Sequence, residues 1–298
     1  MPWAGACGVI CPGRDKRMQL DIVILMLGAA LLHAAWNAII KGGGNPLFEA
    51  TLKALGGGVA VCCVLPFLPL PDPRCLPYLA ASCVIHLGYY TFLSLSYRNA
   101  DMSIAYTLMR GTAPLLTSLA LVLVLEVPLS AGGWLGVMLL STGILTLSTE
   151  ALLQGGLAWR GCCAALANAL VIMCYTLADG YGARASLSPA SYTCWLFFIN
   201  AFPMALLVYR RYRSEFTAYG RRRWRFGLLG GVCSLGSYGI AIWAMTKAPI
   251  AMVAALRESS VIFGMLLAVV FLGERVTFFR ILAVLLVGAG VMCLHMLA

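Results

Sequence analysis

Leu256-Arg257-Glu258-Ser259-Ser260 lies inside an apolar run from Ile250 to Leu272. It has a counterpart, Met109-Arg110-Gly111-Thr112-Ala113-Pro114, inside the run from Met102 to Leu125. Each run is long enough to cross a bilayer, which takes about 20 residues as a helix. Each carries an arginine near its middle and closes on Leu-Glu or Leu-Gly-Glu, at Glu126 and Glu274. A charged side chain at the bilayer centre costs roughly 3 kcal/mol on insertion scales, so it needs a partner or a wet cavity. Two such runs, one per half of the chain, predict a duplicated membrane protein whose site lies between the halves.

Composition supports this. Of 298 residues, 61% are hydrophobic and only 11% charged, against about 25% charged in soluble domains, and mean hydropathy is +0.90. The net charge of +10 collects at the ends of apolar runs, where it orients spans, so no nucleic-acid partner is expected. The twelve cysteines include Cys62-Cys63, Cys83 and Cys162-Cys163 within apolar runs, with no Cys-x-x-Cys spacing and no histidine pair nearby. They read as small packing residues, and neither a metal nor a cofactor is expected. There is no Walker A loop, no His-Glu-x-x-His and no Gly-x-Ser-x-Gly elbow, which argues against an enzyme and against ATP-driven pumping by this chain alone.

Residues 1–18 form a basic tail with Arg14, Lys16 and Arg17, and Met18 offers an alternative start. Ten spans follow, at about 20–40, 46–70, 76–97, 102–125, 131–149, 157–178, 189–209, 224–246, 250–272 and 277–297. Punctuation separates them, as at Asn45-Pro46, Asp179-Gly180 and Ser188-Pro189. Ala100–Glu126 matches Ala248–Glu274 at an offset of 148. The chain therefore divides into five-span copies at 19–150 and 157–298. An odd number of spans inserts the second copy upside down, predicting an all-α polytopic protein built of two inverted repeats. The connection from Arg210 to Arg225 holds seven arginines. By the positive-inside rule it would lie in the cytoplasm, with both termini outside.

Polar residues fall in stripes at helical spacing. Span 1 carries His33, Trp36 and Asn37; span 3 carries His86, Tyr90, Ser94 and Tyr97. Span 4 carries Ser103, Thr107 and Arg110, span 6 Asn168, Tyr175 and Asp179, span 8 Ser234 and Tyr238, and span 9 Arg257 with Glu258 turned aside. Stripes on several spans imply an inward polar cavity. His33 and His86 serve equally as interhelical hydrogen bonders. Arg257 and Glu258 read either as a structural pair or as a site, and Arg110 takes either Glu258 or an anionic substrate group as its partner. Asp179 is expected at the interface, and Pro114 is expected to open the backbone beside Arg110. The Gly132/Gly136 and Gly227/Gly231 pairs predict close helix packing.

His33-Ala34-Ala35-Trp36-Asn37, Arg110-Gly111-Thr112-Ala113-Pro114-Leu115-Leu116 and Ala255-Leu256-Arg257-Glu258-Ser259-Ser260, within a duplicated ten-span chain, resemble EamA-type members of the drug/metabolite transporter superfamily. The segment from Tyr175 to Gly182 fits one branch of it. The resemblance spans roughly 19–298. It implies alternating access by rocking halves, a cavity lined by spans 1, 3, 4, 6, 8 and 9, and export of a small solute. It also implies cytoplasmic termini, opposite to the charge count. The expected function is a secondary transporter of a small polar metabolite or amino-acid-like solute in the plasma (inner) membrane. The bilayer and the solute are its partners, protons a candidate coupling ion, and a homodimer a candidate assembly. Arg110 and Arg257 would bind negative groups, and Glu258 would carry a proton or hold Arg257. His33, Asn37, His86, Tyr90, Tyr175 and Tyr238 would shape the cavity, with Trp36 stacking. The alternatives are a lipid-linked-sugar flippase and a non-transporting intramembrane enzyme or assembly protein.

Overall fold

The computed structural model describes residues 19–100, 102–155, 158–272 and 276–297, all helix and connections with no strand among them. The helices are α1 (Leu20–Lys41), α2 (Pro46–Cys62), α3 (Leu76–Asn99), α4 (Met102–Leu123), α5 (Ala131–Gly155) and α6 (Trp159–Ala185). They continue with α7 (Pro189–Arg211), α8 (Arg213–Met245), α9 (Ile250–Arg257), α10 (Ser260–Leu272) and α11 (Phe278–Met296). Ten helical stretches are long and apolar enough to cross a membrane, with α9 and α10 forming one of them. The Asn-Pro and Ser-Pro punctuation does start helices. The Asn45 side chain accepts from the Leu47 and Phe48 amides and that of Ser188 from Ser191, each followed by proline at the first helical position. The tail with Arg14, Lys16 and Arg17, and Gly273, Glu274 and Arg275 in the second repeat, lie outside the described residues.

Four expectations change. The ninth span is not one continuous helix. At Glu258 and Ser259 the backbone tightens: Glu258 N–H bonds Ala255 O, Ser259 N–H bonds Leu256 O, and Val261 N–H bonds Glu258 O, all three residues back. Ser259 Oγ adds a bond to Leu256 O at 2.7 Å, the local competition by which serine weakens a helix interior. Pro114, by contrast, leaves α4 unbroken. Thr117 and Ser118 hydroxyls bond the Ala113 and Pro114 carbonyls there, at 2.9 and 2.8 Å. The arginine-rich segment is largely helix, because α8 begins at Arg213 and only Tyr212 separates it from α7. Asp179 is not interfacial but wholly buried inside α6. The glycines after it are close-packing positions rather than a turn, with Gly180 against Ile250 and Gly182 against Tyr192.

The helix pairs exchange partners between the halves. α3 packs along α6 as α8 does along α1; α4 packs along α6 as α9 and α10 do along α1; α5 meets α11, and α2 meets α7. One close crossing joins α2 to α8. A Cβ on Gly56 would strike the Gly227 carbonyl and Leu228 backbone, and one on Gly231 the backbone of Gly56 and Gly57. Gly136 likewise faces Leu294 and Gly290 of α11. Both glycine pairs noted in the sequence therefore sit at close helix contacts, where small residues let backbones approach. Neighbouring backbone cannot step aside, so Gly231→Ala should destabilise the protein by about 1–3 kcal/mol. Gly28→Ala, with open space around it, should not. Unfolding in detergent micelles compares the two.

Candidate functional site

The break between α9 and α10 places Arg257 and Glu258 opposite Arg110 of α4. Arg110 Nε lies 2.6 Å from Glu258 Oε2, and Arg257 Nε lies 3.8 Å from Glu258 Oε1. All three residues are buried, at 6% exposure or less. The approach is close but off-axis: Arg110 Nε, Arg257 Nε and Glu258 Oε2 have no hydrogen bond of sound geometry. The carboxylate is thus flanked by two guanidiniums, one from each half of the chain, and the trio carries a net positive charge. Removed from water, such charges interact several times more strongly than at the surface.

Aromatic and polar groups extend this centre both ways. Towards the end of α1, Arg110 Nη2 sits 3.1 Å from His33 Nε2. His33 stands edge-on to Trp36 at 4.7 Å, and Lys53 Nζ of α2 lies 4.3 Å over the Trp36 ring. On the other side, Arg257 lies over Tyr238 at 5.5 Å and Tyr175 at 6.0 Å. Tyr175 stacks on His86 at 4.6 Å, and His86 Nδ1 is 2.8 Å from the Ser82 carbonyl. Tyr238 Oη donates to Asp179 Oδ2 at 2.5 Å, and Tyr192 Oη to Asp179 Oδ1 at 3.0 Å. Among the described residues neither Asp179 nor Lys53 forms an ion pair. The Asp179 carboxyl is held by hydroxyls alone.

Of the residues singled out in the sequence, His33, Trp36, Arg110, Tyr175, Tyr238, Arg257 and Glu258 form one connected cluster. His86 joins through Tyr175, and Tyr90 touches it only through Tyr89, which lies 5.3 Å from Tyr90 and 6.0 Å from Tyr175. The Asn37 amide turns back to its own helix, donating to the His33 carbonyl at 2.8 Å. Asn168 instead donates to Met109 Sδ at 2.8 Å, steadying the residue before Arg110. Sequence reasoning passed over Lys53 and Tyr192. Lys53 carried a usable signal, being a charge inside an apolar run. Nothing in the Tyr192 neighbourhood marked it out, since its role depends on Asp179 across an interhelical contact.

The fold and its buried ionic centre define a polytopic α-helical membrane protein with a polar core shared by its two halves. Residues 159–296 match the model of the EamA-like transporter family; this is the family that the motifs resemble. The members of that family are transporters rather than enzymes. No curated protein matches the chain. A crystal structure of another protein, 19% identical, aligns with a TM-score of 0.72 over 95% of this chain and 100% of its own length. At that identity the likeness shows the fold alone.

Removing one member of a buried ion pair leaves the other uncompensated, at a cost of about 3–5 kcal/mol. Arg110→Met and Glu258→Leu alone should each destabilise the protein by that order, and the double variant by clearly less than the sum. Equilibrium unfolding in detergent, run as a double-mutant cycle, measures the coupling.

Proposed function

We propose that the chain is a secondary transporter that exports a small polar metabolite or amino-acid-like solute across the plasma membrane by alternating access. The observation that carries this reading is the buried trio of Arg110, Glu258 and Arg257, drawn from matching spans of the two halves and seated at a helix break. Discontinuous helices at a repeat interface are where transporters of this architecture bind solute. The exchanged helix pairing supports two inverted five-helix copies: on swapping the halves α3–α6 becomes α8–α1, α4–α6 becomes α9/α10–α1, and α5–α11 and α2–α7 map onto themselves.

In this mechanism the two guanidiniums attract an anionic group of the solute, such as a carboxylate. Glu258 competes with that group for Arg110 and Arg257. When solute binds, the carboxylate must yield a cation or take up a proton, and that exchange links occupancy to the contact between the halves. Tyr175, Tyr238, His86 and Trp36 supply the ring faces and hydroxyl groups that would orient the rest of the solute. Because α4 meets α9 and α10 meets α1, loosening one ion pair frees a contact that crosses the molecule.

Proteoliposome flux tests the reading. Wild-type protein should move one class among zwitterionic amino acids, carboxylate and phosphate metabolites, and cationic drugs. Arg110→Ala and Arg257→Ala should lower that flux at least about tenfold, the scale of a lost charge-assisted contact. Glu258→Gln should retain flux down a solute gradient while losing its response to an imposed pH gradient. Folded protein that moves nothing in the panel would sink the proposal.

A further inference from the structure

Six of the seven arginines between Arg210 and Arg225 are exposed; the seventh, Arg223, is held inward by Glu49 at 2.6 Å. They do not form a loose tail. Phe48 of α2 packs edge-on against Tyr212, Phe216 and Tyr219, and the Tyr219 hydroxyl donates to Glu49 at 2.7 Å. These contacts fix the first turns of α8 against the membrane-spanning bundle and turn its basic face outwards. There, Tyr209, Arg213, Ser214, Thr217 and Arg221 line an open hollow of about 580 Å³. Arg213 Nε donates to Tyr209 Oη at 3.1 Å, which sets the guanidinium across the hollow. Among the described residues no carboxylate pairs with Arg213 or Arg221.

The hollow has an apolar continuation. Phe202, Leu206 and Tyr209 are exposed on α7 at helical spacing, one stripe leading straight to Arg213. A basic, hydroxyl-lined hollow at the head of a lipid-facing apolar stripe matches a molecule with a phosphate at one end and an acyl chain at the other. We infer that Arg213 and Arg221, with the Ser214 hydroxyl between them, form a headgroup site for an anionic phospholipid whose acyl chain runs along Phe202 and Leu206. A soluble phosphate compound would use the arginines and leave the stripe without purpose. This site is separate from the Arg110–Glu258–Arg257 centre and does not depend on what that centre carries.

The test uses the full chain, purified and stripped of lipid, then titrated with phosphatidylglycerol or phosphatidylcholine in micelles while native mass spectrometry counts bound lipid. Phosphatidylglycerol should bind more tightly. Its advantage should fall about fivefold in R213Q or R221Q alone and about thirtyfold in the pair, the scale of one and two arginines near a lipid surface. The single variants decide the matter if the pair does not fold. R98Q, which removes an exposed arginine elsewhere, should leave the preference intact. Equal retention of the two lipids by wild type, an unchanged preference in the variants, or release of lipid by millimolar inorganic phosphate would each overturn the inference.

Discussion

A carboxylate between two guanidiniums, buried in the protein interior, is the constraint from which much of the architecture follows. Glu258 cannot remain charged in an apolar interior unless cations meet it, and Arg110 and Arg257 cannot remain there without an anion. The three come from two distant segments, so α4 must be brought to the break between α9 and α10. The break itself gives Glu258 the freedom to face α4 although Arg257, its neighbour in sequence, points towards Tyr175 and Tyr238. An unbroken helix would turn successive side chains about 100° apart and separate the two groups more rigidly.

Around this centre the protein uses weaker interactions in a graded way. Ring faces lie against the buried cations as well: Tyr238 and Tyr175 against the Arg257 guanidinium, Tyr106 against that of Arg110, and Trp36 against the Lys53 ammonium. Asp179 is treated differently, with one tyrosine hydroxyl on each oxygen and, among the described residues, no cation paired with it. Arg184 illustrates a purely structural use of charge. Its Nε and Nη2 donate to the Met245 and Ala248 carbonyls, at 2.8 and 3.0 Å, closing the C-terminal end of α8, where helix carbonyls lack partners and favour a cation.

The spans, the matched arginines and the glycine contacts were legible in the sequence because each rests on a local rule: an apolar run of bilayer length, a charge where none is cheap, small residues four apart. What was not legible depended on contacts between distant segments. Asp179 beside Gly180 reads as the end of a span, and only the packing of Ile250 and Tyr192 over the glycines makes that stretch helix interior. Pro114 looked like the helix breaker, yet the break came at Glu258 and Ser259, where a serine hydroxyl and three-residue backbone bonds tighten the chain. The arginine-rich stretch was polar enough to pass for a loop. Its helicity follows from Phe48, Glu49 and Tyr219, which give one side of it something to pack on.

The uninterrupted length of α8 has a mechanical consequence. Its 33 residues form a single rod, gripped at Gly231 by backbone from α2 with no side chain between to act as padding. From that fulcrum Tyr238 is seven residues away, about 10 Å, and Arg213 eighteen residues the other way, about 27 Å. The arms are unequal. Any tilt of the rod about the glycine contact moves its arginine end about two and a half times as far as its tyrosine end, so a displacement of one ångström beside Asp179 is enlarged at the membrane surface.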